Sequence, residues 1–146
     1  DTRVRALLQF ASEEAKHIQL FKRFRAEFDA GFGHPCEVIG PPEAIATEVL
    51  SHSPLAVALL TLHIEWFVQR HYLESIRDDQ DLDPQFKSLL KHHWLEEAQH
   101  TKLDTLMVDE LAAEMAPDDI GKAVDEYLAY LAAFVTYRVA LALGGG

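Results

Sequence analysis

Cysteine is almost missing from this 146-residue chain. The single Cys36 excludes an internal disulfide framework and leads us to expect a reducing, cytoplasmic setting. Basic residues are scarce as well. Thirteen Lys and Arg stand against 24 Asp and Glu, a formal net charge of −11, which disfavours nucleic acid and anionic membrane as partners because both need a basic footprint. No cationic segment followed by an apolar run opens the chain, so no secretory signal is expected. The most apolar stretch, Tyr127 to Leu143, contains Thr136 and Arg138 and falls short of a membrane span. Strand-type alternation never persists, no repeat of domain-building period is present, and no glycine-rich phosphate loop exists. An initiator Met is also missing, so we expect a portion of a longer protein.

What is present is helical periodicity. Apolar residues make up 49% and charged residues 25%, the balance of one globular domain over 1–146. Leu7, Phe10, Phe21, Phe24 and Phe28 recur at helical spacing from Arg3 to about Asp29, and Gly31, Gly33 and Pro35 end that helix. Pro41-Pro42 opens a short helix over Glu43–Leu50, and Ser53-Pro54 caps one running to about Arg77. The run Asp78-Asp79-Gln80-Asp81 is a turn. Asp83-Pro84 starts a helix to about Met115, and Pro117-Asp118-Asp119 starts the last, which ends before Gly144. The expected fold is an all-α bundle whose last three helices are antiparallel neighbours. The long link between Gly31 and Ser53 would carry a crossover.

Ionisable residues interrupt the stripes that should face a dry core. On the first helix, positions 7, 10, 14, 17, 21, 24 and 28 share a face that includes Glu14 and His17. On the third, Ala58, Leu62, Glu65, Tyr72 and Ile76 share one, with Gln69 between them. On the fourth it comprises Phe86, Leu90, His93, Glu97, His100, Asp104 and Leu111. A buried carboxylate without a partner costs several kcal/mol, so these groups should be paired or hold a metal. Glu14-Ala-Lys-His17 and Glu97-Ala-Gln-His100 are both Glu-x-x-His, a carboxylate and an imidazole one turn apart on one face. The motif alone is weak. Its weight comes from both copies lying on core stripes, with a third core carboxylate, Glu65, on a helix between them. The competing reading is a salt-bridged polar layer, but no Lys or Arg occupies the same stripes to neutralise three carboxylates.

Glu14/His17, Glu65 and Glu97/His100 resemble the second, third and fourth ligand helices of the ferritin-like di-iron carboxylate superfamily, over about residues 3–115. His93 precedes Glu97 by one turn, and His93-x-x-x-Glu97-x-x-His100 is similar to the pattern of the arylamine N-oxygenases, in which an extra histidine completes the centre. The resemblance implies a ferritin-like bundle with an added C-terminal helix. It makes Glu14, His17, Glu65, His93, Glu97 and His100 ligands of two iron ions, with Mn/Fe as a variant. It also implies activation of O2 against a small organic substrate, an arylamine in the nearest family, with external electrons. A homodimer is expected. The family pattern takes one more Glu from a helix preceding the first Glu-x-x-His; Glu13 lies on the wrong part of the wheel to replace it, so we expect that an N-terminal helix is lacking here.

Asp104, a turn beyond His100, and Gln69, a turn after Glu65, are candidates to accept or donate hydrogen bonds behind the ligands. Two other functional readings remain open: a ferroxidase or rubrerythrin-like peroxide scavenger, and a non-catalytic helical bundle. His93 weighs against the former, since an added ligand occupies space that mobile iron needs. Trp66, Trp94 and Tyr72 read as packing rather than as an electron path. His34, His52, His63 and His71 lie off the stripes, and Cys36 has no His–Asp arrangement to activate it.

Overall fold

Asp, Ser and Pro residues open the helices much as their chemistry requires. The structure, a computed structural model, describes residues 1–33 and 41–144; for Phe32 and residues 134–144 it describes the backbone alone. Helix α1 spans Thr2–Phe32, α2 Pro42–Val49, α3 Pro54–His71, α4 Pro84–Ala113 and α5 Pro117–Gly144. No strand occurs among the described residues. None of the helices is, over those residues, long and apolar enough to cross a membrane. Cys36, His34, Pro35 and most of the link expected to carry a crossover lie outside the described residues, as do the side chains of the last apolar stretch beyond Ala133.

The chain divides into two compact units, Asp1–Pro41 and Pro42–Gly146. The first consists of α1. Asp1 caps it by accepting from the Arg3 N–H at 2.9 Å, and Gly33 ends it in the left-handed conformation at φ 67°, donating to the Asp29 carbonyl. Only glycine adopts that φ without strain, which is why the helix stops there and passes through Gly31. Along the expected stripe, Phe10, Phe24 and Phe28 are half-buried, while Leu7 and Phe21 are exposed.

The second unit is built on α3. Both α4 and α5 pack against it. Helices α3 and α4 run antiparallel, since Glu65 meets Glu97 and, one turn further along α3, Gln69 reaches back to Trp94. The connection is short because Asp79 ties the turn through the Asp81 and Leu82 N–H groups, and Asp83 then caps α4 by accepting from Gln85 and Phe86 at 2.9 Å. Ser53 stands at the start of α3 ahead of Pro54, as expected, but its hydroxyl makes no capping bond. Its own N–H instead donates to Glu126 Oε2 at 2.9 Å, so a carboxylate from α5 sits at the positive end of the α3 dipole.

The third helix departs from the expected continuous run to Arg77. After His71 it continues as one π-helical turn, Tyr72–Ile76. Both ends of that turn are buried, Tyr72 and Ile76, and Tyr72 stacks on Trp94 of α4 with ring centroids 4.7 Å apart. Periodicity at 3.6 residues cannot reveal a change of register of this kind, because the turn contains no proline or glycine to mark it.

The apolar core of this unit is small among the described residues. Leu55, Ala56, Ala58, Leu60, Tyr72, Ile76 and Ala123 are buried, and three of the seven are alanines. Burying a Leu or Ile side chain is worth about 1.5–3 kcal/mol, and an alanine far less. Against this stand four buried ionisable residues in the same unit, Glu65, Glu97, His100 and Asp104, so the seam between α3 and α4 has an acidic centre rather than a dry one.

Candidate metal centre

The α3–α4 seam places Glu65, His93, Glu97, His100 and Asp104 together by simple helix geometry. On α4, positions 93, 97, 100 and 104 recur at spacings of four, three and four, so they stack on one face. Antiparallel packing brings Glu65 of α3 opposite Glu97. Glu65, Glu97, His100 and Asp104 are all 6% exposed or less.

Glu97 is the hub. Its Oε1 lies 2.6 Å from His93 Nε2 and its Oε2 lies 2.6 Å from His100 Nδ1, so each carboxylate oxygen faces one imidazole. Glu65 shares a further hydrogen bond with it. Burial pushes the Glu97 carboxyl up, but the hydrogen bonds from His93 and Glu65 and the nearby charge of His93 and His100 pull it down further, to about 2. Glu97 is therefore a carboxylate at neutral pH, buried in a place where a carboxylate is expensive unless cations or protons surround it.

These observations bear on metal binding. A hydrogen bond between two carboxyl groups needs a proton between them, and a divalent cation can take that proton's place. The set of two carboxylates and two imidazoles is a donor combination suited to Fe, Mn or Zn. Glu97 and His100 belong to a group of donor residues that could hold a metal ion.

His93 joins this group at 14% side-chain exposure, while its neighbour His92 turns away, its Nδ1 against the Ser88 carbonyl at 2.7 Å. Asp104 is buried at the far end of the stripe. The Gln69 amide Nε2 donates to the Trp94 backbone carbonyl at 3.0 Å, bracing α3 against α4 beside the π-helical turn.

On α1, Glu14 and His17 repeat the local arrangement. His17 Nδ1 and Glu14 Oε1 are 3.7 Å apart, with the glutamate side chain 38% exposed. The Glu-x-x-His spacing thus aligns carboxylate and imidazole in both units.

Three histidines that the stripes left aside have definite partners. His63 Nδ1 is 2.6 Å from the Tyr127 hydroxyl, His52 meets Tyr130 edge-on at 5.4 Å, and His71 stacks on Phe67 at 6.0 Å. The His63–Tyr127 pair joins α3 to α5 across 64 positions, and no local pattern announces it. Comparison with protein families, curated proteins and solved structures finds no match for this chain.

Proposed function

We propose that this protein is a non-haem di-iron oxidoreductase of the oxygenase kind, with its metal centre built on the Glu65–His93–Glu97–His100 cluster. The observation that carries the reading is Glu97, a buried carboxylate with an imidazole on each oxygen and a second carboxyl at hydrogen-bonding distance. The resemblance adds Glu14 and His17 of α1 to the donors on α3 and α4. In this proposal the α1 pair supplies further ligands to the same centre, and the two Glu-x-x-His motifs then bind two ions as they do in the superfamily that the sequence resembles.

Iron, when bound, supplies the electrons and open positions for reduction of O2. The chain's own residues do the rest. Glu97 and Glu65 would hold the metal and balance its charge, in a seam where the described residues place no Lys or Arg. His93 and His100 hold fixed directions because α4 is continuous through both. Asp104, buried one turn past His100, stands on the same stripe as the ligands, where a carboxylate orients an imidazole and raises its basicity. Glu65, Glu97, His100 and Asp104 are buried, which keeps bulk water from the site. The substrate class implied by the resemblance is an arylamine, with electrons from an external donor.

The test is anaerobic loading with Fe(II), desalting, and mixing with O2 in the presence of aniline and a chemical reductant. We expect O2 uptake that depends on reductant and yields oxidised aniline. Sustained turnover of free Fe(II) without any organic product would replace this reading with a ferroxidase.

A further inference from the structure

The face of α3 turned away from Glu65 carries a second site. His63, Trp66, Phe67 and Arg70 recur at helical spacing on that face and, with Tyr127 of α5, line a groove of about 380 Å³. Small-molecule sites measure about 300–1,000 Å³ and are mostly apolar with a few placed polar groups. This groove has that make-up. Leu59 and Leu62 form its base, Trp66 and Phe67 stand 56% and 63% exposed as aromatic walls, and the Phe67 ring is held parallel to His71 within 4°.

Its polar groups are all donors in surplus. A single hydrogen joins His63 Nδ1 to the Tyr127 oxygen. Whichever partner supplies it, the pair keeps one more N–H or O–H that the bond does not use. Arg70 gives its Nε and one Nη2 hydrogen to Glu74 Oε1, and a guanidinium has five hydrogens to give. Among the described residues no acidic side chain lines the groove, in a chain of net charge −11. Aromatic walls and the donors that the Arg70–Glu74 ion pair and the His63–Tyr127 bond leave over complement a flat ring bearing an anionic acceptor.

We propose that this groove binds a small planar aromatic carboxylate, its ring against Trp66 and Phe67 and its carboxylate toward Arg70 and the His63–Tyr127 pair. The site is independent of the metal centre and does not rest on the function proposed above.

The experiment is a titration of the full, metal-free chain with 2-naphthoate, followed by 15N NMR of the two indole N–H signals. Trp66 lies in the groove, whereas Trp94 is stacked on Tyr72 in the seam and serves as the internal control. A saturable shift of the Trp66 signal with Trp94 unmoved is expected. Arg70→Gln should weaken 2-naphthoate about tenfold, the worth of one charge-assisted hydrogen bond. The neutral 2-naphthylmethanol should bind about tenfold more weakly and be indifferent to that substitution. Absence of a saturable Trp66 shift, equal movement of both indoles, or equal affinity for acid and alcohol would each overturn the proposal. So would a Trp66 shift on concentrating the protein alone, abolished by Trp66→Ala, because the occupant would then be a second copy of the chain.

Discussion

Two helices of this protein carry the same four-residue motif in different surroundings. On α1, Glu14 and His17 stand 3.7 Å apart and the glutamate side chain is 38% exposed. On α4, Glu97 and His100 stand 2.6 Å apart and the glutamate side chain is 4% exposed. The spacing explains what the two have in common, because any Glu-x-x-His in a helix aligns its side chains. It does not explain the difference. That comes from His93 one turn earlier and from Glu65 on the antiparallel neighbour, which convert a pair into a buried network. A motif makes a pair; packing of a second helix makes a centre.

The largest effect expected from this comparison is on metal uptake. Glu97→Ala should abolish retention of iron through desalting, since it removes the one group that touches both imidazoles and Glu65. Glu14→Ala should lower iron content while leaving the α4 half of the centre able to bind. Elemental analysis of both variants beside His63→Ala, which lies off the cluster and should retain full uptake, breaks the comparison if Glu14→Ala proves the more damaging.

The next effect is on stability against acid in the metal-free protein. Glu97 holds its proton only near pH 2 in the folded chain, below the 4.5 of an ordinary glutamate. Its depressed value stabilises the fold fully above about pH 4.5, and the contribution disappears as pH falls toward 2. Loss on the order of 3 kcal/mol over that window is expected from chemical unfolding at stepped pH. Glu97→Gln should flatten the curve there. An equally steep acid loss in that variant would mean that other carboxylates carry the effect.

A smaller effect separates the two residues that sequence placed behind the ligands. Asp104→Ala should lower metal affinity about tenfold, the lower end of what loss of a ligand-orienting carboxylate costs. Gln69→Ala should leave affinity unchanged and lower the thermal midpoint slightly, because its amide is spent on the Trp94 carbonyl. Competition against a metal-binding dye measures the first and calorimetry the second.

The smallest effect is at the α3 N-terminus. The Glu126 carboxyl is held below its ordinary value by the Ser53 hydrogen bonds and by the neighbouring His52, although burial opposes this. Glu126→Gln should lower the thermal midpoint slightly at low salt and by less at high salt, as screening predicts.

Part of this is legible in the sequence itself. The all-helical class, the turn at Asp78–Asp83 and the α4 stripe follow from residue spacing and capping chemistry, and those rules act within a few positions along the chain. Gln69 shows where such reading stops. Its amide donates to a backbone carbonyl 25 residues away, a partner that no local spacing reveals. The π-helical turn escaped for a related reason, since tertiary packing of Tyr72 and Ile76 rather than a breaker residue accompanies it. Ser53 was placed correctly as the start of α3, and the cap itself came from Glu126, 73 positions on. The His63–Tyr127 pair is likewise long-range and invisible to periodicity.

We propose that the buried acidic seam between α3 and α4 holds metal. The most direct test is iron per chain by elemental mass spectrometry after anaerobic Fe(II) loading and desalting, with Glu97→Ala alongside. About two iron ions per wild-type chain and close to none in the variant are expected. Wild-type protein that emerges free of iron, or a variant that retains as much as the wild type, would contradict the proposal and leave the seam as a polar layer held by shared protons.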